Sequence, residues 1–314
     1  MNLPVFDLHC DTALALLGDN YRKCGSLRKN DGHIDLERAK TLSGYVQCFA
    51  CFTTDHHEGV SSVELFEREL ATIHRELERN SDKIRQAYTV DDISRNQESG
   101  IMSAILTIEG PAGFGYDPEL LQDLYLVGFR MSTLGWNEKN PLTGSCKTGG
   151  GLTDLGREYV AEAQRLGMLV DVSHISDEGF WDIINITQGP VIASHSNSRA
   201  VYSADRNLTD DMFRAICQTG GVAGINLYSE FIGGNATVDT VCNHIFHFLE
   251  LDPDGRHIAL GGDLDGCDVL AEGISGIQEY PKLAKRLLER GLDENTLLNI
   301  YWKNAFEVMK QCST

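Results

Sequence analysis

The chain has 314 residues, 42% of them hydrophobic, enough for a large core and against intrinsic disorder. Lys and Arg number 27 against 46 Asp and Glu, a formal net charge of −19, and no basic cluster offsets it, which excludes nucleic acid as a partner. The nine cysteines are scattered and odd in number, which argues for reduced thiols over a disulfide framework.

The first predicted element is "LPVFDLH", a β-rich run continuing into "CDT". Alternate side chains on a strand share a face, so His9 and Asp11 point one way and Cys10 the other, into packing between layers. Asp7, His9 and Asp11 also interrupt any apolar core of a secretory leader. The tail "VMKQCST" is no anchor signal, and no apolar stretch approaches the roughly 20 residues of a spanning helix. The expectation is a cytoplasmic protein without a membrane anchor.

The second strand, "YVQCFACF", carries Cys48 and Cys51 at CxxC spacing, but an i, i+3 pair on a strand falls on opposite faces, so both read as structural thiols. "DHHE", residues 55 to 58, follows as a solvated loop bordering whatever site the strand ends build. "MSAILTI" runs into Glu109, and "GFRMSTL" into a loop with Trp136. "LTDLGREYVAEAQRLG" reads as a helix with Thr153 as N-cap, Leu155, Tyr159, Ala163 and Leu166 on one face, and Gly167 at its end. "MLVDVSH" and "PVIASH" are the next strands, and "LTDDMFRAICQTGG" repeats the helix scheme from Thr209 to Gly220. "VAGINLY" and "HIALGGD" complete eight strands. His244 and His247, at i, i+3 on a helix without a carboxylate at ligand spacing, read as surface or packing residues.

Eight strand–helix alternations in about 250 residues fit an α/β (β/α)8 TIM barrel with an N-terminal insertion and extra C-terminal helices. A doubly wound sheet normally has a Gly-rich phosphate turn after its first strand, and "HCDTALALLGDN" has none. With no repeat or linker, one domain over residues 1–314 is expected.

Six metal-competent residues fall at C-terminal strand ends: His9, Asp11, Glu109, His174, His195 and Asp263. In a barrel those ends ring one mouth. Three imidazoles and three carboxylates suit zinc or a similar divalent ion and exceed what one tetrahedral ion uses, so two ions are implied. A carboxylate such as Glu109 can bridge two ions that share a hydroxide, the obvious nucleophile.

The ordered set "DLHCDT", "IEG", "DVSHIS", "ASHSNSRAV", "DRNLTDD" and "ALGGDLDG" resembles the membrane dipeptidase (renal dipeptidase) family, peptidase family M19 of the amidohydrolase superfamily, over nearly the whole chain. The resemblance implies a zinc-dependent dipeptidase cleaving short peptides with a free C-terminal carboxylate, including those with a D-configured C-terminal residue. It implies that His9 and Asp11 bind one Zn2+, that His174 and His195 bind the other, and that Glu109 bridges them. Asp263 is then the proton shuttle, while Arg206 and Tyr228 form the pocket for the substrate carboxylate. Without the resemblance, Arg206 reads as a surface salt bridge to Asp205, Asp210 or Asp211. Trp136 stands where the renal enzyme has a substrate-contacting histidine, and an indole cannot accept a proton. A homodimer is implied by the resemblance alone.

Two other readings stay open. One is a different binuclear hydrolase on the same barrel, acting on a cyclic amide or another small amide. Many such relatives carry His-x-His on the first strand or a modified lysine on the fourth, and this chain has His-x-Asp and no lysine in "GFRMSTL". The other is a non-catalytic metal-binding barrel, against which the presence of Asp263 weighs.

Overall fold

The computed structural model describes residues 3–18, 25–57 and 59–313; Cys24 and Glu58 lie outside them. Among the described residues there are nine strands: β1 (Val5–Cys10), β2 (Tyr45–Phe52), β3 (Ile84–Gln86), β4 (Met102–Glu109), β5 (Phe129–Thr133), β6 (Leu169–Asp171), β7 (Val191–Ile192), β8 (Ala223–Ile225) and β9 (Ile258–Leu260). The order β7-β6-β5-β4-β2-β1-β9-β8 is parallel throughout. Backbone bonds from Ala193 N to Val222 O (3.0 Å) and from Gly224 N to Ala193 O (2.7 Å) join β7 to β8 and close eight strands into a barrel. The ninth strand, β3, was not anticipated. It pairs only with β4, and its short "IRQ" hides among charged neighbours.

Alternation along the strands makes two apolar layers. Phe6, Leu8, Val46, Cys48, Ile105, Met131 and Leu169 fill the barrel, which Val308, Met309 and Cys312 plug from below. The helix Asn304–Lys310 supplies two of those plugs, which is what the extra C-terminal helices are for. The outer layer packs residues such as Phe49, Leu106 and Phe129 against the surrounding helices. Those helices start as expected: Thr153 caps Asp154–Arg165 through Gly156 N, and Thr209 caps Asp210–Thr219 through Met212 N. Among the described residues no helix is long and apolar enough to cross a membrane.

One irregularity of β1 decides where the first candidate residues point. Asp7 pairs with Gln47 and Cys10 with Phe49, so three steps on β1 oppose two on β2, which is a β-bulge. Phe6 and Leu8 face the barrel interior, and the bulge shifts the phase so that His9 joins them on the inner side. Cys10 turns into the helix layer. The Asp7 carboxylate accepts from His9 N (3.0 Å), and it also accepts from Gly262 N on the neighbouring chain segment (3.1 Å), from Gln47 Nε2 and from the Tyr280 hydroxyl. These donors satisfy a fully buried carboxylate whose pKa burial raises.

The far side of the barrel depends on close backbone approach. A Cβ on Gly224 would lie 1.9 Å from the Ser194 carbonyl oxygen, and one on Gly261 would lie 1.7 Å from the same atom. Only glycine lets these segments meet there. Gly261→Ala is therefore expected to cost about 2–3 kcal/mol, read as a lower urea midpoint. A midpoint equivalent to wild type would show that the strands part without strain.

Candidate metal centre

His9 lies within β1 and Glu109 is the last residue of β4, whereas Asp11, His174, His195 and Asp263 sit one to three residues beyond their strands. The strands are shorter than the sequence suggested, and backbone strain takes over the aiming. His174 (φ 70°) and Asp263 (φ 56°) both occupy the left-handed region that non-glycine residues avoid. Beside them Gly266 leaves no room for a side chain, since a Cβ there would fall 2.1 Å from Asp11 Oδ2 and 2.4 Å from Asp263 Oδ1.

All six residues meet at the barrel mouth, and all are buried. His9 Nε2 lies 3.3 Å from Asp11 Oδ2 and 3.3 Å from Glu109 Oε2. On the other side of Glu109, His174 Nε2 is 3.1 Å from Oε1, and His195 Nε2 is 4.0 Å from the same oxygen. Asp263 Oδ1 stands 3.9 Å from His9 Nε2. Donor atoms of His9, Asp11 and Glu109, and likewise of Glu109, His174 and His195, lie within 4.8 Å of one another. A third such group, His9, His195 and Asp263, crosses between the two.

The hydrogen bonding of the imidazoles tests whether these residues suit a cation. His195 Nδ1 lies 2.7 Å from Ser194 Oγ, whose hydroxyl donates to Asp171 Oδ2. That leaves Nδ1–H as the donor and a lone pair on Nε2. His174 Nδ1 faces Asn137 Oδ1 at 3.1 Å, with the same consequence. The two Nε2 atoms are then 2.9 Å apart with lone pairs facing. A shared proton is disfavoured, because burial foremost holds both imidazoles well below the ordinary histidine range. His9 Nε2 and Asp11 Oδ1 are buried without a hydrogen-bond partner. Burial, then repulsion from Asp11, pushes Glu109 up to about 8 against the attraction of His9. Burial would lower His9, but Glu109 and Asp11 outweigh it and raise its pKa well above the usual value. Orphaned donor atoms and crowded carboxylates of mixed N/O character fit divalent cations of the zinc type.

The other predicted residues surround this cluster. A cavity of about 180 Å³ opens over it, lined among others by Leu14, Phe52, Trp136, Tyr228 and Phe231. Arg206 lies behind Phe231, with its guanidinium 5.4 Å from the ring, and donates to Ser196 Oγ (3.2 Å) and His195 O (3.1 Å). The surface salt bridge is not what forms. Arg206 is buried, its Nε has no partner, Asp210 pairs with His247 and Asp211 pairs with Arg214. Burial foremost, then Glu230, whose carboxylate accepts from the hydroxyl, pushes the Tyr228 phenol up to about 12. Trp136 makes an edge contact with Phe52 at 5.2 Å and lies 6.2 Å from the His174 ring.

The remaining motifs stay outside the cluster. Asp55 accepts from Tyr116 OH, and His57 accepts from Thr54 N while its ring meets Phe52, so the loop borders the cavity wall only. Cys48 and Cys51 occupy different layers, and burial pushes both thiols up. His244 is fully buried between Ser198 N and Ile232 O, a packing role.

Sequence reading missed the residues that orient the candidates: Asp171, Ser194, Asn137 and Asn226. Asn226 Nδ2 donates to Asp263 Oδ2 (3.0 Å) and His195 O (3.3 Å), while its Oδ1 accepts from Tyr228 N (2.6 Å). One signal was available. "DLH" and "DVS" each place an aspartate two residues before a strand-end turn, and Asp171 takes Ser173 N and Ser194 N as Asp7 takes His9 N. Ser194→Ala is expected to weaken Zn2+ binding about 10–100-fold in chelator competition while leaving the fold intact. Unchanged affinity would remove Ser194 from the set of orienting groups.

The family model described as "Membrane dipeptidase (Peptidase family M19)" matches residues 1–314. An uncharacterized dipeptidase of Schizosaccharomyces pombe is 37% identical over 226 residues, 70% of this chain, and the chain spans about half (54%) of that relative. An uncharacterized protein of the pqqA 5' region of Klebsiella pneumoniae is 30% identical over 262 residues, covering 79% of this chain and 96% of its own length. Among solved structures, a metallo peptidase from Rhodobacter sphaeroides, liganded with a phosphinate mimic of the dipeptide L-Ala-D-Ala, superposes with TM-score 0.85 at 25% identity, covering 99% of this chain and 100% of that one. On this evidence, with its strand ends converging as the fold requires, the chain belongs to the membrane dipeptidase family, peptidase family M19.

Proposed function

We propose that the protein is a dipeptidase working with two zinc-type divalent ions, held by His9 and Asp11 on one side, by His174 and His195 on the other, and by Glu109 between them. The observation that carries this reading is the division of Glu109, one oxygen toward His9 and the other toward His174. Bound ions supply Lewis acidity at a carbonyl and bring the pKa of water near neutrality.

The chain's own residues do the rest. Asp263, buried and hydrogen-bonded by Asn226 through Oδ2, keeps Oδ1 toward the cluster, where it accepts a proton and hands it to the leaving amine. Burial raises its pKa, which suits a group that must also donate. Arg206 meets no carboxylate among the described residues, and its charge is left for the C-terminal carboxylate of a substrate, with Tyr228 on the other side of the Phe231 ring. The mimic of L-Ala-D-Ala bound by the Rhodobacter sphaeroides relative supports including dipeptides with a D-configured C-terminal residue among the substrates.

Two variants test these roles. Asp263→Asn is expected to retain metal while kcat falls about 10²–10⁴-fold; near-normal turnover at full metal content removes the shuttle role. Arg206→Ala is expected to raise KM for free dipeptides about 10–100-fold and to leave carboxyl-amidated ones little changed. Equal loss with both substrates would refute the carboxylate assignment.

A further inference from the structure

We infer that Phe52 and Trp136, with Leu14, form the subsite for the side chain of the substrate's amino-terminal residue, and that this subsite selects large apolar side chains. The inference rests on the dipeptidase reading above.

Strand order divides the cavity into two walls. Around the barrel, β1, β2, β4 and β5 form one continuous arc, and β6, β7, β8 and β9 form the other. Leu14, Phe52 and Trp136 follow or end strands of the first arc; Arg206, Tyr228 and Phe231 follow strands of the second. Trp136 reaches the His174 ring of the second arc (6.2 Å), and the other ring contacts of the lining residues stay within their own wall. Phe52 touches Trp136 (5.2 Å), whereas Phe231 touches Tyr228 (5.0 Å) and covers Arg206 (5.4 Å). A dipeptide with its carboxylate at Arg206 and its scissile carbonyl over the candidate ligands has its amino-terminal residue left to place. Two extended residues reach about 7 Å, which carries the amino-terminal residue away from Arg206 toward the first wall.

The wall it meets is hydrocarbon. Leu14, Phe52 and Trp136 are each half-buried, so each has surface left for a ligand to cover. Among the described residues no Lys or Arg lines the first wall, Arg206 lies under Phe231 of the second, and the charged residues lining the cavity are Asp11, Glu109, Asp263 and Asp265. An acidic substrate side chain would lose its water on that wall without gaining a cation. The wall is also preformed. Phe52 N donates to the buried Glu69 (2.8 Å), the His57 ring packs on the Phe52 edge (5.9 Å), and the loop after Trp136 is tied to His174 through Asn137. Each methylene buried there is worth about fourfold in kcat/KM.

The test is a panel of Gly-Ala, Leu-Ala, Phe-Ala and Glu-Ala, each with L- and D-alanine, hydrolysed by the zinc-loaded full chain. The expected result is a 10–100-fold preference in kcat/KM for Leu-Ala and Phe-Ala over Gly-Ala, with Glu-Ala at or below Gly-Ala. Trp136→Ala and Phe52→Ala should each cut the Leu-Ala to Gly-Ala ratio about tenfold, and Trp136→Phe should hold it within about threefold. A general loss of structure lowers all substrates together and does not move this ratio. Hydrolysis of Gly-Ala with no size preference, or a ratio unmoved in both alanine variants, overturns the subsite while leaving the dipeptidase reading standing. Failure to cleave any member at full metal content overturns both.

Discussion

Glu109 sits between two groups of donor atoms that share its one charge, and most of the mouth is arranged around that constraint. A single carboxylate, buried and already raised by a neighbouring aspartate, is flanked by imidazole nitrogens at 3.3 Å and 3.1 Å. Left without cations, the cluster keeps orphaned donor atoms in a place water does not reach. The outer groups therefore work to hold the inner ones facing each other. Asp7 pins the bulge that turns His9 inward, Asp171 and Ser194 fix the His195 ring, Asn137 fixes His174, and Asn226 fixes Asp263. Every one of these partners is uncharged or is itself tied to backbone N–H groups, so none competes for the cation.

Much of this was legible in the residues alone because strand-end position is a pattern of spacing. His9, Asp11, Glu109, His174, His195 and Asp263 could be gathered from runs that end in polar residues, once the alternation implied a barrel. What remained hidden has physical reasons. The bulge in β1 leaves no mark in "VFDLHC", since its cause is a carboxylate answering its own chain two residues on. β3 is too short and polar to stand out. The burial of Arg206 depends on a ring 25 positions away, so local acidic neighbours suggested the wrong partner. His247 likewise finds Asp210 across two helices.

The two halves of the mouth divide the chemistry. One arc offers a guanidinium held by a backbone carbonyl, a serine and an aromatic ring; the other offers aliphatic and aromatic surface. Glu109 and the histidines lie between. The two walls are not independent of the donor groups, since Arg206 also donates to the His195 carbonyl and Trp136 lies against the His174 ring.

The Asp7 clamp also bears on how the protein is made. Its partners Gly262 and Tyr280 lie 255 and 273 residues downstream, so the turn that aims His9 is completed only when nearly the whole chain exists. At about 5–20 residues per second, synthesis leaves the first strand waiting on the order of 15–55 seconds for them. During that interval Glu109, His174 and His195 join the chain, while the turn that aims His9 still lacks the two partners that complete its clamp. The first strand is thus the earliest part of the cluster to be made and the last to be aimed, after the residues that it faces are already in the chain.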